Sequence, residues 1–364
     1  MKLLKIAKWL GIVIAGAIAA LAILIYATTF HPAETQDEAF VSPATAPVLK
    51  PGARVKVLSW NIQYMAGKNY VFFYDLLAGD GPDERPSAKD VVLTRGEIVR
   101  IIRSENPDIV LIQEIDEGSK RTDYENQLEK LLAELPESYS SYTSTFYHKA
   151  AFVPHPRIKG SVGLKLATIS KYRISKAVRH QLPIIPDNLL VRQFNFKRCI
   201  LEARIPVEGG KDLAVFNTHF DAFAQGSDTM KKQAAYAMAL FEKTTPEVSG
   251  WLIGGDFNLL PPGKSYGRLP APQRAYFNED TELAPLFGKY RSVPSLAEIN
   301  GPDYLRWLSH YPNDPAVKAP DRTIDFIFLS DSVVLMEHYI RQGETWMISD
   351  HLPLVADIIV PLKK

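Results

Sequence analysis

The 364 residues are long for one domain but suit a single large α/β unit, and 42 basic residues are almost balanced by 41 acidic ones. Four of the basic and three of the acidic residues precede Arg54, leaving 38 of each beyond it, without the basic surplus of a dedicated nucleic-acid binder. A single cysteine, Cys199, excludes an intramolecular disulfide.

Lys2, Lys5 and Lys8 precede an uncharged run from Trp9 to Phe30, rich in Ile, Ala and Leu. About 20 apolar helical residues suffice to cross the hydrocarbon core. A cleaved signal peptide has an apolar region of only about 7–15 residues and a small-x-small cleavage site. The longer run, with the unsuitable sequence Ala27–Ala33 after it, favours an uncleaved signal anchor over residues 9–30. The lysines of residues 1–8 hold the N-terminus in the cytoplasm, so the rest of the chain is expected on the periplasmic or extracellular side of the cell membrane. Residues 31–53, rich in Pro, Ala and Thr without apolar periodicity, read as a linker. About 20 such residues reach at most roughly 70 Å, which keeps a domain over 54–364 near the bilayer.

Within that domain Val55–Ile62 predicts a first strand. Thr94–Ser104 predicts a helix with Ile98, Ile101 and Ile102 on one side, ended by Asn106-Pro107. Asp108–Gln113 is nearly all apolar, as for a strand buried on both faces. Tyr124–Leu135 has helical spacing, and Met230–Glu242 predicts another helix. Further strands are expected at 139–145, 161–169, 198–205, 212–218, 250–255, 323–329 and 354–360. Strands outnumber helices, which favours two packed sheets flanked by helices over one doubly wound sheet. Cys199 lies on one of these strands and reads as a small buried apolar residue rather than a nucleophile.

Two segments, 64–90 and 259–320, look like additions to this core. Long connections in compact domains are functional or disordered. Each directly follows a chemistry-bearing motif, so both are expected to wall a pocket and select substrate. The first holds the cluster Tyr70-Val-Phe-Phe-Tyr74, either packed inside or dipping into a membrane interface.

The most informative stretch is Trp251-Leu-Ile-Gly-Gly-Asp-Phe-Asn258. In an extended strand residues i and i+2 point the same way, so Asp256 and Asn258 are expected to project together. Glu114, Asp256, Asp325 and Asp350 all end or interrupt apolar strands. Gathering carboxylates is costly unless a cation or a proton compensates. An all-oxygen donor set favours Mg²⁺, with Mn²⁺ second, and the lack of closely spaced His and Cys argues against zinc. Any one of these acids taken singly also reads as a strand-end carboxylate that faces water or caps a helix. The ordered set Leu58-Ser-Trp-Asn61, Ile112-Gln-Glu114, Asn217-Thr-His219, Gly255-Asp-Phe-Asn258, Thr323-Ile-Asp325 and Ser349-Asp-His351 is hard to reach by chance.

From about Val55 to the C-terminus, that set resembles the endonuclease/exonuclease/phosphatase superfamily. The resemblance implies a four-layer α/β-β/α sandwich of two packed mixed sheets, with its site where the sheets open at one edge. It implies Glu114 as principal metal ligand, helped by Asn61, with Asp350 facing the same or a second cation. Asp256 would be the general base, and Asn258 would bind the phosphate and hold Asp256. His351 would contact the scissile phosphate, oriented by Asp325, and His219 would bind a phosphate oxygen with Asn217 assisting. No Ser, Cys or Lys is placed for a covalent intermediate, so direct attack by water is expected.

One departure is the mid-chain Gly163-Leu-Lys-Leu-Ala-Thr-Ile-Ser170, where the family has Gly-x-Ala-Ile-Leu-Ser. An additional phosphate contact there is unassigned: Lys165 is a candidate, against a plain solvated lysine. His148, His155, His180 and His310 lack partners at ligand spacing, and Tyr139, Tyr142 and Tyr147 read as packing or rim residues. Arg192, Lys197 and Arg198 read as a wet strand edge, or else as contacts to an anionic substrate or membrane.

The expected function is a membrane-anchored, Mg²⁺-dependent hydrolase of a phosphoester, with a phospholipid headgroup as the favoured substrate. The close rival is an extracytoplasmic nuclease, and location disfavours a soluble phosphoinositide phosphatase. A non-catalytic anchored binding module is the reading from another class; the intact motifs argue against it. Oligomeric state is not encoded in any of these features.

Overall fold

Apolar runs separated by turns place the strands of the computed structural model, which describes residues 2–222 and 226–362, in two seven-stranded sheets. In chain order the strands are β1 (Thr35–Asp37), β2 (Phe40–Val41), β3 (Arg54–Asn61), β4 (Ile109–Asp116), β5 (Ser141–Val153), β6 (Gly160–Ser170) and β7 (Lys176–Gln181). They continue with β8 (Cys199–Ile205), β9 (Leu213–His219), β10 (Gly250–Asp256), β11 (Arg291–Val293), β12 (Asp325–Leu329), β13 (Val334–Ile340) and β14 (Leu354–Ile359). One sheet runs β13-β14-β3-β4-β6-β5-β2, the other β1-β7-β8-β9-β10-β12-β11. Both are mixed: β3 pairs parallel with β4 and β9 parallel with β10, while their other neighbours are antiparallel.

Helix α1 (Lys2–Thr28) contains a stretch, Leu4–Thr28, long and apolar enough to cross a membrane. Helices α2 (Ala88–Glu105) and α3 (Gln127–Glu134) cover the first sheet, where Ile98, Ile101 and Leu131 meet Leu58, Val110 and Ile169. Asn106, in the left-handed conformation at φ 51°, ends α2 where Pro107 forbids continuation. A short helix α4 (Val191–Phe194) precedes β8, and α5 (Thr229–Thr244) covers the second sheet through Ala237 and Phe241 against Phe216 and Trp251. Between the sheets, Val55, Val57 and Leu111 pack on Val215, Leu252 and Ile327. The four layers are therefore helices, sheet, sheet and helix, the architecture expected.

The sheets are also tied by a buried polar bridge. Asn217 of β9 donates to the carbonyls of Ile112 (3.0 Å) and Ala167 (2.8 Å), and accepts from Gln113 Nε2 at 2.7 Å. With every polar atom of its carboxamide engaged, Asn217 clasps the sheets and does not assist at a phosphate. Gln113, held between Asn217 and Ser59, is structural.

Residues 31–53 differ from the expected linker. They contribute β1 and β2, which pair with β7 and β5, and Leu49 bridges Val207. Backbone pairing anchored them where side-chain periodicity gave no signal. Three further strands lie outside the expected set: β7, whose basic sequence hides the buried Arg179, the three-residue β11 within the second insertion, and the edge strand β13, irregular between Leu335 and His338. Lys165 is neither solvated nor a phosphate contact, because it is buried against Glu117 at 2.7 Å.

Candidate active site

Strand register brings the first three groups together. Asp256, the last residue of β10, lies level with His219 at the end of β9 on one side and with Asp325 at the start of β12 on the other. Gly255 makes this possible: a Cβ there would meet the Thr218 carbonyl oxygen at 2.0 Å. His351 enters from the opposite sheet just before β14, fixed by Trp60, whose indole N–H donates to its carbonyl at 2.9 Å.

Asp256 is buried and crowded by donors. Its Oδ2 lies 3.1 Å from Asn61 Nδ2, 3.2 Å from His219 Nε2 and 3.4 Å from His351 Nε2, while Oδ1 accepts from the Asn258 backbone N–H at 2.9 Å. Burial lifts its carboxyl to about 7, against the pull of His351 and with a smaller push from Asp325. Burial alone would depress the His351 imidazole. Asp325, with oxygens 2.9 and 3.1 Å from Nδ1, reverses this, and with Asp256 holds it at about 10. His351 is therefore an imidazolium at neutral pH.

His219 is the opposite case. Burial first, then the charges of Arg198 and His351, push it well below the ordinary histidine value, so it is neutral. Its Nε2 faces the Asp256 carboxylate as a donor, which leaves Nδ1 to accept the Tyr147 hydroxyl at 3.4 Å.

Glu114 stands apart from its strand. β4 is irregular between Ile112 and Ile115, and Glu114 has φ 58°, a bulge that turns its carboxylate into the cavity. Its carboxylate accepts no hydrogen bond from a described residue, and the neutral His219 lies beside it with Nδ1 3.9 Å away. Burial and then the facing Asp350 raise its pKa. Two carboxylates facing one cavity, one of them held towards protonation, are a donor set that a divalent cation relieves. Among the described residues, close clusters of ligand atoms also include His310–Asp350–His351 and Asp256–Asp325–His351. Asn61 is less free than expected of a ligand, because its Oδ1 accepts from Gln63 N at 3.0 Å and its amide holds Asp256.

Asn258 reaches the cavity by another route than strand alternation. β10 ends at Asp256, and Asn258 adopts φ 52°, a left-handed turn that asparagine tolerates, with its amide donating to Phe220 O at 3.1 Å.

All of these groups except Asn61 and Asp325, which stand behind, line one cavity of about 550 Å³. Both insertions wall it, as expected: Phe73, Tyr74 and Asp75 from the first, Tyr276, Phe277 and His310 from the second. Lys68 locks them together, donating to Tyr311 O (2.6 Å) and Asn313 Oδ1 (2.8 Å), while Asn313 Nδ2 donates to Asp75 at 2.9 Å. The aromatic cluster is largely packing: Phe72 is buried, with Tyr70 and Tyr74 stacked on either side.

Four residues at this site escaped the sequence reading. Arg198 is buried, not at a wet edge; it lies 3.4 Å from Asp221, is stacked on Tyr147 and Phe196, and its Nη1 has no hydrogen-bond partner. A buried guanidinium nitrogen without a partner beside a carboxylate site suits an anionic oxygen. Tyr147 is fully buried against His219 rather than at a rim. His310 packs 4.4 Å from His351, ring to ring, and lies 3.9 Å from Asp350. Ser309 Oγ donates to Asp325 Oδ2 at 2.7 Å and accepts two backbone N–H groups at 3.1 Å, so it orients the carboxylate that orients His351. Only the Lys197-Arg198 pair left a trace in the sequence; Ser309 and His310 sit in an insertion without spacing signals.

A family model described as the Endonuclease/Exonuclease/phosphatase family matches residues 58–351. No curated protein matches the chain. Among solved structures, an endonuclease/exonuclease/phosphatase from Beutenbergia cavernae DSM 12333 is 19% identical with a TM-score of 0.54, over 85% of this chain and 72% of that one. A family protein from Leptotrichia buccalis C-1013-b is 14% identical with a TM-score of 0.52, over 84% and 99% of the two chains. ANGEL2, described as a 2',3'-cyclic phosphatase, is 14% identical with a TM-score of 0.51, over 90% and 99%. At these identities the structural likeness bears on the fold.

Proposed function

The chain belongs to the endonuclease/exonuclease/phosphatase family, a metal-dependent hydrolase of phosphoester bonds, and we propose that it is a single-span membrane enzyme that cleaves a phosphodiester in a phospholipid headgroup by direct attack of water. The observation that carries the chemistry is the Asp325–His351–Asp256 arrangement, an imidazolium fixed between two buried carboxylates at the floor of one cavity.

Asp256 accepts a proton from the attacking water, and Asn61 with the Asn258 N–H holds the carboxylate in place for it. The His351 imidazolium, kept charged by Asp325, offers Nε2 to the developing charge on phosphorus-bound oxygen. Neutral His219 and the unpartnered Nη1 of Arg198 supply further donors for the phosphate oxygens. Glu114 and Asp350 would hold the divalent cation, Mg²⁺ first and Mn²⁺ second, which neutralises charge on the phosphate and leaving group. The lipid class is supported by the apolar wall of the cavity, including Phe73, Ile158, Ile185, Phe196 and Phe277, and by the N-terminal span that keeps the domain at a bilayer.

The test is hydrolysis by the full chain in vesicles with Mg²⁺ or EDTA. Phospholipids including sphingomyelin, plasmid DNA, RNA and bis(p-nitrophenyl) phosphate are compared, each beside His351→Ala. Metal-dependent turnover of lipid that the variant loses supports the reading. Nicking of plasmid with the same dependence makes the enzyme a nuclease, and a folded, metal-binding chain that turns over none of them points to a binding module.

A further inference from the structure

The loop between β7 and β8 exposes apolar residues that the site does not use. Leu189 is 79% exposed, Leu190 57% and Val191 42%, consecutive in sequence and flanked by polar residues. Such a run is costly in water unless something covers it. Its position in the fold says what does.

Thr29, one residue past α1, forms an antiparallel bridge with Ala150 of β5. Antiparallel pairing sends the residues before Thr29, the apolar helix, alongside those after Ala150. Phe152, 51% exposed, therefore projects beside the end of the span. The loop lies at the same end of β5. Lys197 N donates to Tyr147 O, and His148 Nε2 lies 3.0 Å from Phe194 O, so going back along the loop from 197 to 194 leads up β5 towards Ala150. Exposed Lys149 on β5, Lys159 in the turn from β5 to β6 and Arg192 in the loop add positive charge here, with Asp187 of the loop an opposing acid, paired to Asn195. Apolar tips among cations suit a bilayer surface with anionic headgroups.

We propose that Leu189, Leu190 and Val191, together with Phe152, form a docking surface inserted in the same bilayer leaflet from which α1 emerges. The inference rests on the single-span reading above. It adds a route to the site. Ile185 and Phe196, at the two ends of the loop, line the catalytic cavity, and so do Arg157 and Ile158 of the β5–β6 hairpin. The elements that touch lipid are thus the elements that frame the cavity, and a headgroup reaches Asp256 and His351 without its molecule leaving the membrane.

The test uses the full chain in vesicles of phosphatidylcholine and phosphatidylglycerol carrying a doxyl-labelled lipid. One fluorophore is placed at Leu190→Cys, Phe152→Cys, Ile14→Cys within α1, or Val334→Cys on β13, the edge strand farthest from β5 in the same sheet. Cys199 is buried and stays unlabelled. Quenching at 190 and 152 several-fold above that at 334 is expected. A label at 190 quenched no more than at 334, while that at 14 is quenched, overturns the docking surface and leaves the span intact. No quenching at 14 or 190 removes both.

A triple variant, Leu189→Ser with Leu190→Ser and Val191→Ser, gives a second readout. Its KM for vesicle-borne lipid should rise about tenfold while turnover of bis(p-nitrophenyl) phosphate stays unchanged. Equal loss on both substrates overturns the proposal. Quenching at 190 with no lipid hydrolysed keeps the docking surface and removes the headgroup substrate.

Discussion

Asp256 Oδ2 is approached by three side-chain donors, and each has a different reason to be there. His351 and the hydrogen bonds from Asn258 and Asn61 oppose the rise that burial imposes on this carboxyl, which is lifted to about 7. Asp256 must lose its proton to act as a base, so kcat/KM should rise with pH through about 7 in weakly bound or low cation, and a bound cation should pull this limb lower. His351 must keep its proton, so activity should fall as pH rises through about 10. Asp325→Asn removes the charge that most raises His351, and its alkaline limb should move to lower pH; an unmoved limb assigns it to another group. His351→Ala should lower kcat about 10²–10⁴-fold with the fold intact by circular dichroism. Arg198→Ala, which removes a donor facing the cavity, should reduce kcat/KM about 10–100-fold. The last two are read from steady-state kinetics on whichever phosphoester is turned over.

At the scale of elements, function sits where strands end or break their pattern. β9 and β10 deliver His219 and Asp256 side by side because their backbones approach closely at Gly255. Gly255→Ala puts a methyl 2.0 Å from Thr218 O, so the strands must part. A loss of about 1–3 kcal/mol is expected in a denaturant titration, with activity falling further than stability because the pair that parts carries the site. The irregularity in β4 does the same for Glu114, and a left-handed turn does it for Asn258. The two insertions act as one wall through Lys68, whose burial pushes its amine down to about 8. Lys68→Met should raise KM more than it lowers kcat, since it loosens the wall and leaves the catalytic groups in place.

For the whole molecule, two sheets packed face to face make a site that neither holds alone. Glu114, Asn61 and His351 belong to one sheet; Asp256, His219 and Asp325 belong to the other. A cation that binds only the folded site should stabilise the entire domain, by about 2.7 kcal/mol at a hundredfold excess over Kd. Thermal unfolding against Mg²⁺ concentration measures this, and Glu114→Gln should flatten the response.

The sequence by itself determined the layered architecture, the apolar N-terminal helix and six short motifs in order, because strand burial and strand ends are local patterns with periods of two and four residues. It identified Glu114, Asp256, Asp325 and His351 as a set, and the structure places Asp256, Asp325 and His351 in hydrogen-bonding or ionic contact around one cavity that Glu114 also lines. It misjudged Asn217, since facing direction within a strand does not say whether the neighbour is a ligand or another sheet. Arg198 left only a trace and Ser309 and His310 no legible pattern, because what makes them part of the site is burial against residues 23, 16 and 41 positions away in the chain. Residues 31–53 lacked any side-chain rhythm, and backbone hydrogen bonds to distant strands decided their place. Local periodicity is written in the chain; contacts between its remote parts exist only once the two sheets have closed.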